Sequence, residues 1–329
     1  MYKAFFKLKR NPFELTPDPT CFVPTKRHNE ALAALYYGVR RHKGFVVVTG
    51  EVGTGKTLLL RCLLGLLKES KEVAYAYLFN SLLSPTEFLQ YILFDFGLPA
   101  SGKNKCELIL DLGKFLVSRG SKKLTTVLII DEAHLLSADI LEEVRLLSNL
   151  ETADDKLLQI VLVGQPELDE KLDSIGLRQL KQRIALRAQL GPLDADETKG
   201  YIEQRLKIAG ADPHATPLFY PQAIEAVYLH SRGFPRLINT ICENALITAY
   251  ARQLSTVTPD IIGDVAKEFR LDAVSSPETE GFGRQKEMEL QQAINILLNL
   301  HPALRKPFAK DSDMGAAVGA EVSKHEPNI

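Results

Sequence analysis

Gly44-Phe-Val-Val-Val-Thr49 runs without a break into Gly50-Glu-Val-Gly-Thr-Gly55-Lys56-Thr57, and an apolar helical stretch, Lys56–Lys68, follows at once. A continuous β-branched run suits a strand buried on both faces. A loop of the form G-x-x-x-x-G-K-[ST] between such a strand and a helix is a phosphate cradle. Glycine lets the backbone wrap close to phosphate oxygens and aim successive N–H groups at them. The helix behind presents its positive end to the same anion. The loop therefore implies a bound nucleotide held by Gly50, Glu51, Val52, Gly53, Thr54 and Gly55, with Leu58 included at the helix start. Lys56 is placed to reach the β- and γ-phosphates of ATP, and the Thr57 hydroxyl to ligate Mg²⁺.

The same strand-then-helix rhythm continues outward. A helix is predicted over His28–Arg41, strands over Val73–Phe79, Thr126–Ile130, Leu157–Val163 and Ile184–Leu190, two helical stretches within 84–119 and a helix over Ser137–Leu150. Strands alternating with helices of this length imply a mostly parallel five-stranded sheet covered on both faces. After Pro192 the periodicity is helical only, over 194–209, 221–231, 235–252 and 258–270, with prolines between. The expected organisation is an α/β nucleotide-binding domain over 1–192 and a helical lid over 193–270. Residues 1–43 form the lead-in and first helix, and the proline-rich part, 11–24, reads as extended chain. From 271 the composition reads as a linker, a short amphipathic helix (Gln285–Leu300) and a disordered tail from 305.

Val127-Leu-Ile-Ile130 ends in Asp131-Glu132, an apolar strand delivering two acids to the sheet edge where α/β proteins bind ligands. Asp131 is placed to hold Mg²⁺ through a water, and Glu132 to orient or deprotonate the attacking water. An acidic start to the next helix would explain the pair less well once the phosphate loop is present. Asp131-Glu-Ala-His134 also spells a tetrapeptide known from a helicase class, but 329 residues are too few for paired motor domains. His134 is read instead as a helix-start residue. Gln165, just after the strand predicted over Leu157–Val163, reaches the same edge and is a candidate contact to the γ-phosphate or the water.

Arg183, with Arg178 and Arg187 nearby, stands just before the fifth strand, where an arginine can neutralise transition-state charge on a neighbour's ATP. A solvated basic face is the other reading of these three. Arg236 opens a helix of the second region, where an acid would suit the helix dipole better. That mismatch favours a ligand-binding role.

Other readings are narrowed by composition. The formal net charge of −1 leaves no global basic field for nucleic acid. Cys21, Cys62, Cys106 and Cys242 lie far apart and form no metal-binding pattern. Met1–Arg10 lacks the apolar run of a signal peptide, and no stretch approaches the roughly 18–20 apolar residues of a membrane helix. The expectation is a cytoplasmic protein.

With these residues in place the chain resembles AAA+ ATPases, and closely the general secretion pathway protein A (ExeA-type) family. It is also similar to ATPases found with bacterial exopolysaccharide and exosortase loci. The resemblance rests on Asn11-Pro-Phe13, Thr16-Pro-Asp-Pro19, Thr49–Thr57, Ile129–Leu136, Gln159–Leu168, Gln182–Ile184 and Gly233–Leu237, within residues 1–270. It implies nucleotide bound between the α/β core and the helical lid, with Gln165 as sensor 1 and Arg236 as sensor 2. It implies Arg183, rather than Arg178, as an arginine finger acting across a homo-oligomer interface, and Pro12 and Phe13 as a cover over adenine. The secretion proteins continue into a membrane helix and a peptidoglycan-binding domain without counterpart here, so a soluble motor or switch for a secretion or export assembly is expected. The alternative is a DNA-associated regulator of the transposition type.

Overall fold

The computed structural model describes residues 1–79, 83–152, 155–212 and 214–271. In chain order its elements are α1 (Tyr2–Phe5), α2 (Lys26–Arg40), β1 (Phe45–Gly50), α3 (Lys56–Lys68), β2 (Val73–Leu78), α4 (Pro85–Asp95), α5 (Lys105–Gly120), β3 (Thr125–Ile130), α6 (Ala138–Leu147), β4 (Gln159–Gly164), α7 (Glu167–Asp173), α8 (Arg178–Lys181), β5 (Ile184–Leu190), α9 (Ala195–Ile208), α10 (Pro221–Ser231), α11 (Pro235–Ala251) and α12 (Pro259–Glu268).

The strands form one parallel sheet in the order β2-β3-β4-β1-β5. The three interior strands are buried along their whole length, as their unbroken apolar runs require. Edge strand β5 alternates between exposed and partly buried residues instead, which is the pattern of a strand with one face uncovered. Alternate side chains of each interior strand serve opposite layers. Val46, Val48, Ile129 and Val161 pack with Leu35 of α2 and Leu59, Leu60 and Leu63 of α3. Val47, Leu128, Ile130 and Leu162 pack with Phe88 and Ile92 of α4, Leu112 of α5 and Ile140 of α6. Each such side chain, fully buried, contributes roughly 1.5–3 kcal/mol.

Helices α9–α12 build a second core around Ile202, Val227, Ile238, Ile241, Leu246 and Ile262. Their starts are written locally. Asp194 and Glu197 form a capping box on α9. Pro221, Pro235 and Pro259 are the first residues of α10, α11 and α12, where a missing N–H costs nothing. Prolines that read as separators in the sequence are thus helix starts.

The lead-in belongs to this second core. Tyr2, Phe6, Leu8 and Phe13 are buried in it, and the Phe13 ring packs edge-on against Phe219. Buried Arg205 donates to the carbonyls of Pro12 (2.6 Å) and Glu14 (3.3 Å). Short α1, α7 and α8 were not anticipated, because fewer than about two turns leave no periodicity to detect. The expected linker, Gln285–Leu300 helix and tail, from 272 onward, lie outside the described residues.

The turn into α11 has no room for a side chain. Gly233 has φ +77°, and a Cβ there would meet Leu193 O at 1.9 Å. The same carbonyl-bearing segment is tied in register, since Leu193 N–H donates to Gly233 O at 2.9 Å. Gly233→Ala is expected to cost about 3 kcal/mol from left-handed strain and overpacking together. That corresponds to a fall in Tm of roughly 6–12 °C. Thermal unfolding checks it, and an unchanged midpoint would mean the 193 backbone yields freely.

Candidate functional site

The strand order brings the C-terminal ends of β3, β4 and β1 side by side, so the glycine loop after β1, the acids after β3 and Gln165 after β4 share one edge of the sheet. A cleft of about 310 Å³ opens there. Its walls include Val52, Gly53, Gly55, Lys56, Thr57 and Leu58 from the loop and α3, Glu132 just after β3, and Arg236 and Asn239 from α11. Glu14–Asp18 of the lead-in complete it. A larger cleft, about 830 Å³, lies at the other end of the strands between Tyr37, Arg41, Lys123 and Lys156, away from the glycine loop.

The loop has the shape its glycines permit. Gly53 and Gly55 have φ of +84° and +98°, values that strain any other residue. A Cβ at Gly53 would stand 2.9 Å from that of Arg236, and one at Gly55 would stand 3.0 Å from His28 Nε2. Lys56 is buried and donates to Gly50 O (2.7 Å) and Glu51 O (3.0 Å). Burial lowers its proton affinity, and the charges of Glu132 and Asp131 work against that shift. The Thr54 hydroxyl donates to Glu51 O at 2.8 Å. A concave backbone, a lysine within it and a helix N-terminus behind it fit a phosphate group.

Asp131 is buried, and both its oxygens are held. The Tyr77 hydroxyl donates to Oδ2 (2.9 Å) and the Glu132 N–H to Oδ1 (2.9 Å). Burial, and then the charge of Asp131, push the Tyr77 phenol well above its ordinary value, so it remains a donor. Glu132 has φ 51° and ψ 38°, a left-handed conformation that costs a non-glycine residue about 1–3 kcal/mol. Its Oε2 is buried without a hydrogen-bond partner among the described residues. An unsatisfied carboxylate oxygen thus stands on a left-handed backbone beside the phosphate cradle.

Other candidates are placed differently. Gln165 is bonded to His134 rather than lining the cleft. The Arg183 guanidinium donates to Arg145 O and to the Ser148 hydroxyl at the end of α6. Arg187 pairs with Asp169, and Arg178 is exposed. Arg236 is exposed within the cleft, and its backbone N–H donates to Gly53 O at 3.2 Å. The Phe13 side chain is in the helical core, and the cleft lining begins at Glu14.

Three residues here went unassigned in the sequence. Tyr77 lies in a strand whose pattern marks no special position. Arg205 looks like an ordinary charged residue of an amphipathic helix. His28, at the start of α2, bonds Thr54 O through Nε2 (2.9 Å) and the Thr25 hydroxyl through Nδ1 (2.7 Å). Because a carbonyl can only accept, Nε2 carries the proton and Nδ1 accepts. Burial lowers the His28 proton affinity below its ordinary 6.5, with the bond to Thr54 opposing. The unfolded chain therefore binds more protons just below pH 6.5, and stability contributed by neutral His28 is lost as pH falls through the folded value. The wild-type chain is expected to lose stability faster than His28→Gln as the pH falls below about 6.5. Parallel unfolding curves for the two across that range would remove His28 as the cause.

The AAA domain family matches residues 39–172. Over 253 residues the chain is 44% identical to the general secretion pathway protein A of Aeromonas hydrophila, covering 77% of this chain and 45% of that protein. The chain thus spans less than half the length of this relative. Two solved structures are similar in fold. They are the Aeropyrum pernix ORC1 protein in complex with DNA (TM-score 0.59, 19% identity, 80% of this chain and 70% of that one) and the Thermotoga maritima RuvB Holliday junction branch migration motor (0.51, 16%, 75% and 70%). At these identities they speak for the fold alone. The match to the AAA domain family and the 44% identity over 253 residues carry the assignment: the chain holds an AAA+ ATPase domain closely related to general secretion pathway protein A.

Proposed function

We propose that the chain binds ATP with Mg²⁺ in this cleft, hydrolyses it, and serves as a motor or switch for a bacterial secretion or polysaccharide-export assembly. The observation that carries the reading is the bond from Arg236 N–H to Gly53 O, which joins the phosphate loop to the first turn of α11. A nucleotide here touches the sheet, the lead-in and the helices of 193–270 at once. Its hydrolysis would therefore change the contacts that hold them together, as a lid requires.

In this proposal each residue takes a role that its position supports. With ATP bound, Lys56 would leave the Gly50 and Glu51 carbonyls for the β- and γ-phosphates, and the Thr57 hydroxyl would be a ligand to Mg²⁺. The ion, when bound, neutralises phosphate charge and orients the triphosphate. Asp131, fixed by Tyr77, contributes a carboxylate beside it, and Glu132 orients or deprotonates the attacking water. Gln165 reads the γ-phosphate, and the exposed Arg236 side chain reaches the phosphates from α11. Glu14–Asp18, strapped through Arg205, cover the base, with Pro12 and Phe13 as the anchor behind them. Arg183 acts on the site of a neighbouring subunit, for which it must exchange its α6 acceptors.

The secretion role draws on the name of the Aeromonas relative. Among the described residues no helix is long and apolar enough to cross a membrane, and action on the cytoplasmic side is part of the proposal. The DNA reading is weaker. Of the basic cluster at 178, 181, 183 and 187, Lys181 pairs with Asp173, Arg187 pairs with Asp169, and Arg183 is bonded to α6. Light-scattering mass of the Glu132→Gln protein, with and without ATP and duplex DNA, tests both. A discrete ATP-dependent oligomer indifferent to DNA supports the switch with Arg183 in trans. Assemblies that form only with DNA, and weaken steeply with salt, would replace it with the regulator. A mass unchanged by ATP would refute an oligomeric motor.

A further inference from the structure

We propose that His134 is a positioning residue that links the Glu132 carboxylate to Gln165, so that the two groups are set together. The inference rests on the roles given above to Glu132 and Gln165. His134 stands in the single 3₁₀ turn Ala133–Leu135 that follows β3, and its side chain is only 9% exposed. Its Nδ1 lies 3.5 Å from Glu132 Oε2, the buried oxygen that lacks a hydrogen bond. On the other side its Nε2 is 3.0 Å from Gln165 Nε2, and Gln165 N–H approaches Nδ1 at 3.4 Å. One ring thus spans the end of β3 and the end of β4.

The backbone that carries the ring is pinned. Lys171 Nζ donates to His134 O (2.5 Å) and Leu136 O (2.8 Å). A Cβ at Gly164 would stand 3.1 Å from His134 N, so the end of β4 presses on the same turn. With the turn fixed, the imidazole has little freedom except its tautomer. When Nδ1 carries the proton, the Gln165 amide donates to Nε2 and Nδ1–H points at Glu132. At 3.5 Å this second contact is beyond hydrogen-bond length. A displacement of about 0.5 Å closes it. When Nε2 carries the proton, the Gln165 amide must turn its Oε1 to accept from it, Nδ1 accepts from Gln165 N–H, and Glu132 is released. A shift of Gln165 against the γ-phosphate therefore reaches the carboxylate through one side chain. A histidine that merely started the helix would need neither partner, and α6 in any case starts later, with Ser137 as its cap.

The test compares ATP turnover and nucleotide affinity of the full chain as His134→Ala, His134→Gln, Gln165→Ala, the His134→Ala/Gln165→Ala double variant and Glu132→Gln. His134→Ala is expected to lower kcat about 10–100-fold with KM and nucleotide Kd nearly unchanged. The double variant should be no slower than the slower single one, because both cut the same link. His134→Gln, whose amide can bond both neighbours, should recover at least about tenfold of the loss. It also carries the test if alanine loosens the fold. Wild-type kcat in His134→Ala, a loss in KM alone, fully additive losses, or His134→Gln no faster than His134→Ala would overturn the proposal. Glu132→Gln separates the two levels. Inactive Glu132→Gln with active His134→Ala refutes only the link, whereas active Glu132→Gln refutes the catalytic reading beneath it.

Discussion

Lys56→Ala is expected to abolish nucleotide binding while leaving the apo protein folded. The ammonium is buried in the loop and now donates to two backbone carbonyls, Gly50 O and Glu51 O. Those bonds stand in for the phosphate oxygens it would meet, so the lysine is already inside the cradle before ligand arrives. Charged hydrogen bonds are each worth about 1.5–3 kcal/mol, and losing those to two phosphates should weaken affinity by at least about 100-fold. Apo stability should change little, because losing the two bonds is offset by removing a charge that burial already disfavours. The measurement is thermal unfolding with and without ATP. The wild-type chain should gain about 2.7 kcal/mol at a ligand concentration of 100 Kd, and the variant nothing. A variant that still shifts would move the phosphate site away from this loop.

Glu132→Gln should separate binding from chemistry. The side chain keeps its size, and its left-handed backbone strains glutamine no more than glutamate. Affinity for ATP should therefore stay within a few-fold. The amide cannot take a proton from water, and kcat should fall about 10²–10⁴-fold, the usual contribution of a positioned general base. Steady-state phosphate release alongside a binding titration checks both halves. Normal turnover would assign the chemistry to another group.

The two cores respond differently to perturbation. Strands β1, β3 and β4 are sealed between helical layers, so substitutions there act chiefly on stability. The cleft instead has walls from both cores, since Glu14–Asp18 and Arg236 belong with the helices and Gly53–Thr57 with the sheet.

Much was legible from residue order. Lys56–Lys68, Ile184–Leu190 and 221–231 are bounded where the pattern of apolar residues, glycines and prolines places them. The reason is local: a strand between two layers needs an unbroken apolar run, and a phosphate loop needs glycine where φ is positive. Those demands are met within a few residues and are written in spacing. The order β2-β3-β4-β1-β5 is different. Nothing in the spacing of Gln159–Gly164 says that it inserts between β1 and β3, yet that insertion sets Gln165 beside His134. Residues 11–24 also read as extended chain, and only the fold shows Phe13, with Tyr2 and Phe6 before it, buried among α9–α12. The resemblance singles out Arg183, but only the fold shows that α6 offers it two acceptors. Contacts between segments tens to hundreds of residues apart depend on packing of whole layers, and no short stretch encodes them. The phosphate loop, the paired acids and the alternation of strand and helix thus belong to the sequence, and the company that each site residue keeps belongs to the folded chain.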